Sequence, residues 1–156
     1  MDDLSLAGLE AFIVRAKQHT YVGNGQKLLP YRLGSKDLQY VEGDWAYHDG
    51  YFGESDFIGQ EIVYYQGKPV WGMNYFGVIL RPDKLTSAQA GEMIKHSLTR
   101  LYLEGRFLGE FAHQEGALRY SDQNEGDVRA FRGKEQISRD DEVVYELVYH
   151  GGLIRL

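Results

Sequence analysis

The chain has 156 residues, no cysteine, 19 glycines and a formal net charge of −6 at pH 7. Its length fits a single domain, residues 1–156, with its own core, and the lack of cysteine excludes disulfides and zinc–thiolate sites. The acidic balance argues against direct nucleic-acid binding, because such surfaces are normally basic. The first apolar run, residues 4–14, is interrupted by Glu10 and has no basic lead. We therefore expect neither a signal peptide nor a membrane span. The expected location is the cytoplasm.

Two helices are predicted from apolar stripes with the helical period. The first covers residues 4–18, and the second covers residues 86–104, where Thr86 or Ser87 can cap the helix and Gly105 can end it. Residues 19–36 lack periodicity and contain several glycines and a proline. This composition predicts a long surface loop.

Nine strands are predicted from short aromatic and β-branched runs bounded by polar turns. They lie at about 37–42, 45–52, 57–66, 69–80, 108–113, 117–121, 127–132, 134–139 and 142–150. Residues 121–126 are predicted as a turn, and no internal repeat is detected. The connections are too short for parallel crossovers. The predicted fold class is therefore α+β, a curved, mainly antiparallel β-sheet backed by two α-helices.

The stretch EIVYYQGKPVWGMNYFG, residues 61–77, is a hairpin with unusual polar and glycine positions. A two-residue turn at Gly67-Lys68 would place Glu61 opposite Asn74, with Trp71 on the other, structural face. Missing side chains beside a polar pair would form a hollow, and ligand sites are mostly apolar with a few placed polar groups. We predict a site for an unknown small molecule on this face, lined by Glu61, Asn74, Tyr65, Phe76, Gly59 and Gly72. Two alternatives are a solvated face and glycines that let a helix pack closely.

A second candidate group lies in the last two strands. A tight turn at Asp140-Asp141 would place Glu135 opposite Glu146, with His150 on the same face. Paired carboxylates raise each other's pKa, as acid–base sites require. This pattern supports an alternative function, a small enzyme that uses Glu61 or the Glu135–Glu146–His150 group as acid and base. A slip of one residue in the register would separate the two glutamates.

No metal or cofactor is expected. His48, Asp49, Glu54 and Asp56 gather in one stretch, but their spacing matches no recognised metal-binding pattern. A further alternative function is a protein–protein interaction module, which the acidic surface and the many tyrosines would suit. We also expect a homodimer formed through a free sheet edge or an apolar sheet face, with residues 143–149 as an interface element.

Several short motifs resemble those of an uncharacterised bacterial family, a domain of unknown function. The motifs are YVGNG, GSKDLQYVEGDWAYHDGYFG, FIGQE, PVWGMNYFG and VYHGG. The resemblance covers nearly the whole chain, from Phe12 to Leu156. Members of that family occur alone or behind an Xre-type helix-turn-helix regulator, so the resemblance implies a role in sensing but names no activity.

Overall fold

The computed structural model describes residues 5–22 and 25–155. Helix α1, Leu6–Lys17, begins where the Ser5 hydroxyl accepts a hydrogen bond from the Gly8 amide, and it continues into a π-helical turn, Gln18–Val22. Helix α2, Ser87–Leu103, begins with a capping box between Thr86 and Gln89. Both predicted helices are confirmed to within two residues at the ends that are described, and residue 4 lies outside the described residues.

Nine strands form one antiparallel sheet in the described part of the chain. Their bounds are β1 Gln26–Leu28, β2 Lys36–Glu42, β3 Trp45–Gly53, β4 Phe57–Tyr65, β5 Lys68–Ile79, β6 Phe111–Glu115, β7 Leu118–Asp127, β8 Ala130–Arg139 and β9 Glu142–Leu153. The spatial order is β1-β2-β3-β4-β5-β9-β8-β7-β6. The described chain thus combines two helices with an open antiparallel sheet. The predicted α+β class with a curved, mainly antiparallel sheet is confirmed.

Three predicted boundaries are wrong. Strand β1 lies inside the predicted loop 19–36, and residues 121–126 belong to β7 rather than to a turn. The predicted strands 127–132 and 134–139 are one continuous strand, β8. Polar and glycine residues favour turns, but here they pair with β8 along the whole stretch, including Ser121 with Gln136 and Asn124 with Gly133. Cross-strand pairing therefore overrides the local composition.

The core lies between the helices and one side of the sheet, which we call the inner face. Phe12 of α1 stacks on Tyr40 and Trp45, with ring centroids 5.9 and 5.0 Å apart. The largest completely buried side chains are Trp71, Tyr47, Tyr120 and Tyr145. The opposite side of the sheet, the outer face, exposes Ile58, Phe76 and Val148 by about half.

The sheet contains a repeat that joins two similar halves. Strands β3–β5 carry Tyr47-x-Asp49, Phe57-x-Gly59-x-Glu61 and Tyr75-x-Gly77, and strands β7–β9 carry the same residues at equivalent places, Tyr120-x-Asp122, Phe131-x-Gly133-x-Glu135 and Tyr149-x-Gly151. The halves meet where β5 pairs antiparallel with β9, and Tyr75 lies opposite Tyr149. The two halves are therefore related by an approximate two-fold axis. The expectation of no internal repeat is therefore wrong.

The hairpin turns repeat as well. Gln66 and Gly67 have φ of 48° and 76°, and Asp140 and Asp141 have φ of 48° and 64°. Positive φ at both central residues is the type I′ turn. Three residues before each turn the register shifts, between Val63 and Tyr64 and between Ile137 and Ser138.

These bulges make the predicted β4–β5 register wrong. The turn lies at Gln66-Gly67 rather than Gly67-Lys68, and Glu61 pairs with Met73. Glu61, Gly59 and Tyr65 therefore lie on the inner face together with Trp71, whereas Asn74, Phe76 and Gly72 lie on the outer face. The six predicted site residues do not line one surface, because a bulge moves every later residue to the other face.

The same effect separates the C-terminal group. The turn at Asp140-Asp141 is as predicted, but Glu135 pairs with Leu147 on the inner face. Glu146 pairs with Gln136, and His150 pairs with Arg132, both on the outer face. The predicted Glu135–Glu146–His150 cluster is therefore not assembled.

Strand β9 lies in the middle of the sheet, between β5 and β8. Residues 143–149 thus have hydrogen-bonded neighbours on both sides and cannot form a free edge, so the edge alternative of the prediction is wrong for this segment and only the face alternative is left. The edges of the described sheet are β1 and β6. A homodimer stays a prediction, and its contact would use one of these edges or a sheet face.

Candidate functional site

An interior chamber and an open cleft adjoin each other between α2 and the inner face. The chamber has a volume of ≈ 70 Å³, and its walls include Lys17, Asp122, Glu135 and Tyr149. The cleft has a volume of ≈ 450 Å³ and lies between the first part of α2 and strands β2–β5. Four side chains line both spaces, namely Phe57, Tyr75, Ile94 and Tyr145.

Each half of the sheet holds a tyrosine against a buried aspartate. The Tyr75 hydroxyl donates to Asp49 Oδ1 at 2.6 Å, and the Tyr149 hydroxyl donates to Asp122 Oδ1 at 2.7 Å. A Cβ at Gly59 would collide with the Tyr75 ring, and one at Gly133 would collide with the Tyr149 ring. The two glycines therefore make room for these tyrosines.

Lys17 supplies a buried cation at the end of α1. Its Nζ donates to both carboxylate oxygens of Glu61, at 3.0 and 2.9 Å, and Tyr47 also donates to Glu61. Lys17 is 3% exposed and Glu61 is 0% exposed. Glu135 is the counterpart of Glu61 in the second half, and it forms no ion pair with the residues that the structure describes. The two halves thus differ in charge.

Burial shifts the interior carboxyl groups towards the protonated form. It raises the pKa of Asp49 to about 7, with the charge of Glu61 adding to the rise. It raises the pKa of Glu135 to about 8, with the charge of Asp122 adding to the rise. Burial also raises the pKa of Asp122. The charge of Lys17 opposes the rise in all three groups, but one lysine does not neutralise four carboxyl groups.

We expect the free energy of unfolding to fall as the pH rises from about 5 to 8. Between its usual pKa of 4.5 and its folded pKa of about 8, Glu135 holds a proton in the folded chain and has lost it in the unfolded chain. The folded state then binds more protons, so stability decreases by up to about 1.4 kcal/mol per pH unit for such a group. Glu135→Gln should flatten this slope in urea unfolding, and Glu146→Gln on the outer face should not. An unchanged slope in Glu135→Gln would contradict the assignment.

The Tyr145 hydroxyl is a buried polar group without a hydrogen-bond partner among the described residues. Tyr145 is 0% exposed and lines both the chamber and the cleft. A buried hydroxyl without a partner costs about 1–3 kcal/mol, and such groups in native proteins require an explanation. A polar group of a bound molecule would provide the partner.

The remaining predicted residues lie away from this cavity. Asn74 Oδ1 accepts a hydrogen bond from Gln60 Nε2 at 2.8 Å on the outer face, where Gly59, Asn74 and Phe76, three of the predicted site residues, border an open depression of ≈ 390 Å³. His48 also points outwards and bonds Asp37 at 2.7 Å, whereas Asp49 points inwards. Among residues 5–22 and 25–155, no three His, Asp or Glu side chains form a group that could hold a metal ion.

Sequence reasoning missed most of the cavity. It did not select Lys17, Asp49 or Asp122 as site residues, nor the tyrosines that bond the two aspartates. The repeated Tyr-x-Asp and Phe-x-Gly-x-Glu motifs were the available signal. Comparison of the two halves would have identified a matched Asp, Glu and Tyr in each.

The fold and the cavity define an α+β domain in which an open antiparallel sheet encloses a polar space under a helix. The chain belongs to the DUF5680 family, described as a domain of unknown function, whose family model matches residues 49–154. The match includes most of both repeated halves. Neither the curated proteins nor the solved structures give a match. No helix in the described part of the chain is long and apolar enough to cross a membrane.

Proposed function

We propose that this domain binds a small organic molecule in the cleft under α2. The main support is the cleft itself, which has a volume of ≈ 450 Å³ and is lined by the buried polar residues Asp49 and Tyr145. Ligand sites usually have a volume of about 300–1,000 Å³, mostly apolar walls and a few placed polar groups. The cleft has all three properties, because Phe57, Ile79 and Ile94 supply apolar walls.

A role in sensing is part of this proposal. Its support is the resemblance of the chain to domains found behind Xre-type regulators. A ligand held between α2 and the inner face would contact both a helix and the sheet, so its binding would stabilise their packing.

Gly91→Leu should abolish binding of small molecules without harming the fold. Gly91 lines the cleft from α2, and a Cβ there has no atom within 4 Å, so a leucine would fill the cleft instead of clashing with the protein. Replacing a helical glycine should also raise stability by about 0.5–1 kcal/mol. The measurement is amide NMR spectra of the protein titrated with benzene- and indole-containing fragments and with non-aromatic fragments of similar size. We expect shifts at Tyr75, Ala90 and Ile94 in the original chain only.

Ala88→Leu is the matched control. It places the same side chain at an exposed position of the same helix, outside the residues that line the cleft, and should leave the fragment shifts unchanged. If no fragment binds, or if binding persists in Gly91→Leu, the proposed function is wrong.

A further inference from the structure

We propose that the ligand is an arylalkylamine, whose aromatic ring packs against Phe57 and Tyr145 and whose ammonium group binds Asp49. This inference rests on the proposed function and names the ligand class for the same cleft. An aromatic ring is inferred from a difference between two equivalent pairs of stacked rings in the sheet. An ammonium group is inferred from the number and placement of interior carboxyl groups.

Two equivalent pairs of stacked rings join the halves of the sheet, and each pair has one residue in each half. Trp71 and Phe131 have centroids 5.7 Å apart and planes inclined by 17°, and their counterparts Tyr145 and Phe57 have centroids 6.5 Å apart and planes inclined by 24°. Each phenylalanine also contacts the tyrosine of its own half that bonds an aspartate, at 6.0 Å for Phe57 and 6.1 Å for Phe131. The similarity of these contacts makes the remaining difference informative.

Among the side chains that the structure describes, a third ring packs against only one of the two pairs. Phe107 lies edge-on to both Trp71 and Phe131, with centroids 5.8 Å away in each case. Among these described side chains, no ring takes the same position against Tyr145 and Phe57, and both of these side chains line the cleft. A ligand ring could therefore make the edge-on contacts there that Phe107 makes with Trp71 and Phe131, a geometry that aromatic pairs favour.

The charge of the site favours a cation. Apart from the Lys17–Glu61 ion pair, three more carboxyl groups are buried on the inner face of the described sheet, those of Asp49, Asp122 and Glu135. Asp49 lines the cleft, and its Oδ1 is already bonded to Tyr75. An ammonium group at Asp49 would replace the proton that burial favours and form a charge-assisted hydrogen bond. Tyr145, whose buried hydroxyl has no described partner, lines the same cleft.

Other charged and titratable groups surround Asp49 or the cleft. Glu61 and Asp37 raise the pKa of Asp49, and Lys17 lowers it. Lys36, Glu54 and Lys95 lie in the cleft wall, and Lys36 is 3.5 Å from Glu54. The two lysines are exposed, so their charges are screened by solvent. The buried Asp49 therefore dominates recognition of a charge deep in the cleft.

Three matched probes test the inference: phenethylamine, 2-phenylethanol and 3-phenylpropanoate. They share a phenyl ring and differ in charge. We expect phenethylamine to bind at least tenfold more tightly than 2-phenylethanol at pH 6.5, and 3-phenylpropanoate to bind more weakly than both. Calorimetry in buffers of different ionisation enthalpy should show that phenethylamine releases protons on binding, because the ammonium lowers the pKa of Asp49. No proton release would contradict the replacement of a proton.

Asp49→Asn separates the charge from the ring. Asparagine still offers an oxygen to the Tyr75 hydroxyl, so the fold should persist. The preference for phenethylamine over 2-phenylethanol should fall to less than threefold, and binding of 2-phenylethanol should remain. Glu92→Gln is the control, because it removes one exposed negative charge of α2 outside the cleft and should leave the preference intact.

The outcomes distinguish this inference from the proposed function. If 2-phenylethanol or 3-phenylpropanoate binds as tightly as phenethylamine, and Gly91→Leu abolishes that binding, the amine is wrong and the binding function stands. If only fragments without an aromatic ring bind in the cleft, the ring is wrong. If nothing binds in the cleft, both proposals fail.

Discussion

Trp71→Ala should lower the free energy of unfolding by about 3–5 kcal/mol, as for other large core aromatics. Trp71 is completely buried, stacks on Phe131 and meets the edge of Phe107. Its Nε1 donates to the Val128 carbonyl at 3.1 Å, in the turn between β7 and β8. The substitution removes the ring contacts and leaves that carbonyl without its partner. Guanidinium unfolding at pH 7 measures the loss.

Tyr145→Phe is the matched control, because Tyr145 occupies the equivalent place in the other half. Phenylalanine keeps the stacking on Phe57 and removes a hydroxyl that has no described partner. Stability should therefore stay the same or rise, since removal of an unsatisfied buried polar group is neutral or favourable. A loss of unfolding free energy below about 1 kcal/mol in Trp71→Ala would contradict this account of the core. So would a loss in Tyr145→Phe as large as that in Trp71→Ala.

The helices and the fold class were predictable because their signals are local. The apolar stripe of the second helix and its threonine cap give 86–104 against the observed Ser87–Leu103. Short connections between aromatic runs require antiparallel pairing, which sets the class. These inferences need only residues that are close in the sequence.

The faces of the hairpins were not predictable in the same way. In each hairpin one extra residue, Val70 or Val144, lies between the turn and the regular register. A bulge of this kind depends on how the two strands pack, and valine gives no local sign of it. Because one residue of slip exchanges the faces, Glu61 and Asn74 were placed together although they lie on opposite sides of the sheet.

The buried ion pair between Lys17 and Glu61 was also not predictable from the sequence. Lys17 and Glu61 are 44 positions apart, and a lysine near the end of an amphipathic helix is usually exposed. Only the placement of α1 on the inner face brings its Nζ to the carboxylate. The repeat shows which carboxyl groups are equivalent, but it does not show which of them has a cation.

Lys17→Met should lower the free energy of unfolding by about 3–5 kcal/mol, because it leaves Glu61 buried without its cation. Methionine approximates the length of the lysine side chain, so the loss should come mainly from charge. Glu61→Gln should cost less, because Lys17 also interacts with the charges of Asp49, Asp122 and Glu135. One of those groups can ionise in place of Glu61.

The double variant Lys17→Met/Glu61→Gln should be more stable than Lys17→Met alone, because no unpaired charge remains at that position. Guanidinium unfolding of the original chain and the three variants at pH 7 gives the coupling free energy between the two residues. If the two losses are additive, Lys17 does not act mainly on Glu61. Its charge would then act on the carboxyl groups that line the chamber, and Lys17→Met should raise the pKa of Glu135 further. An unfolding series against pH would detect this as a fall in stability that continues to higher pH than in the original chain.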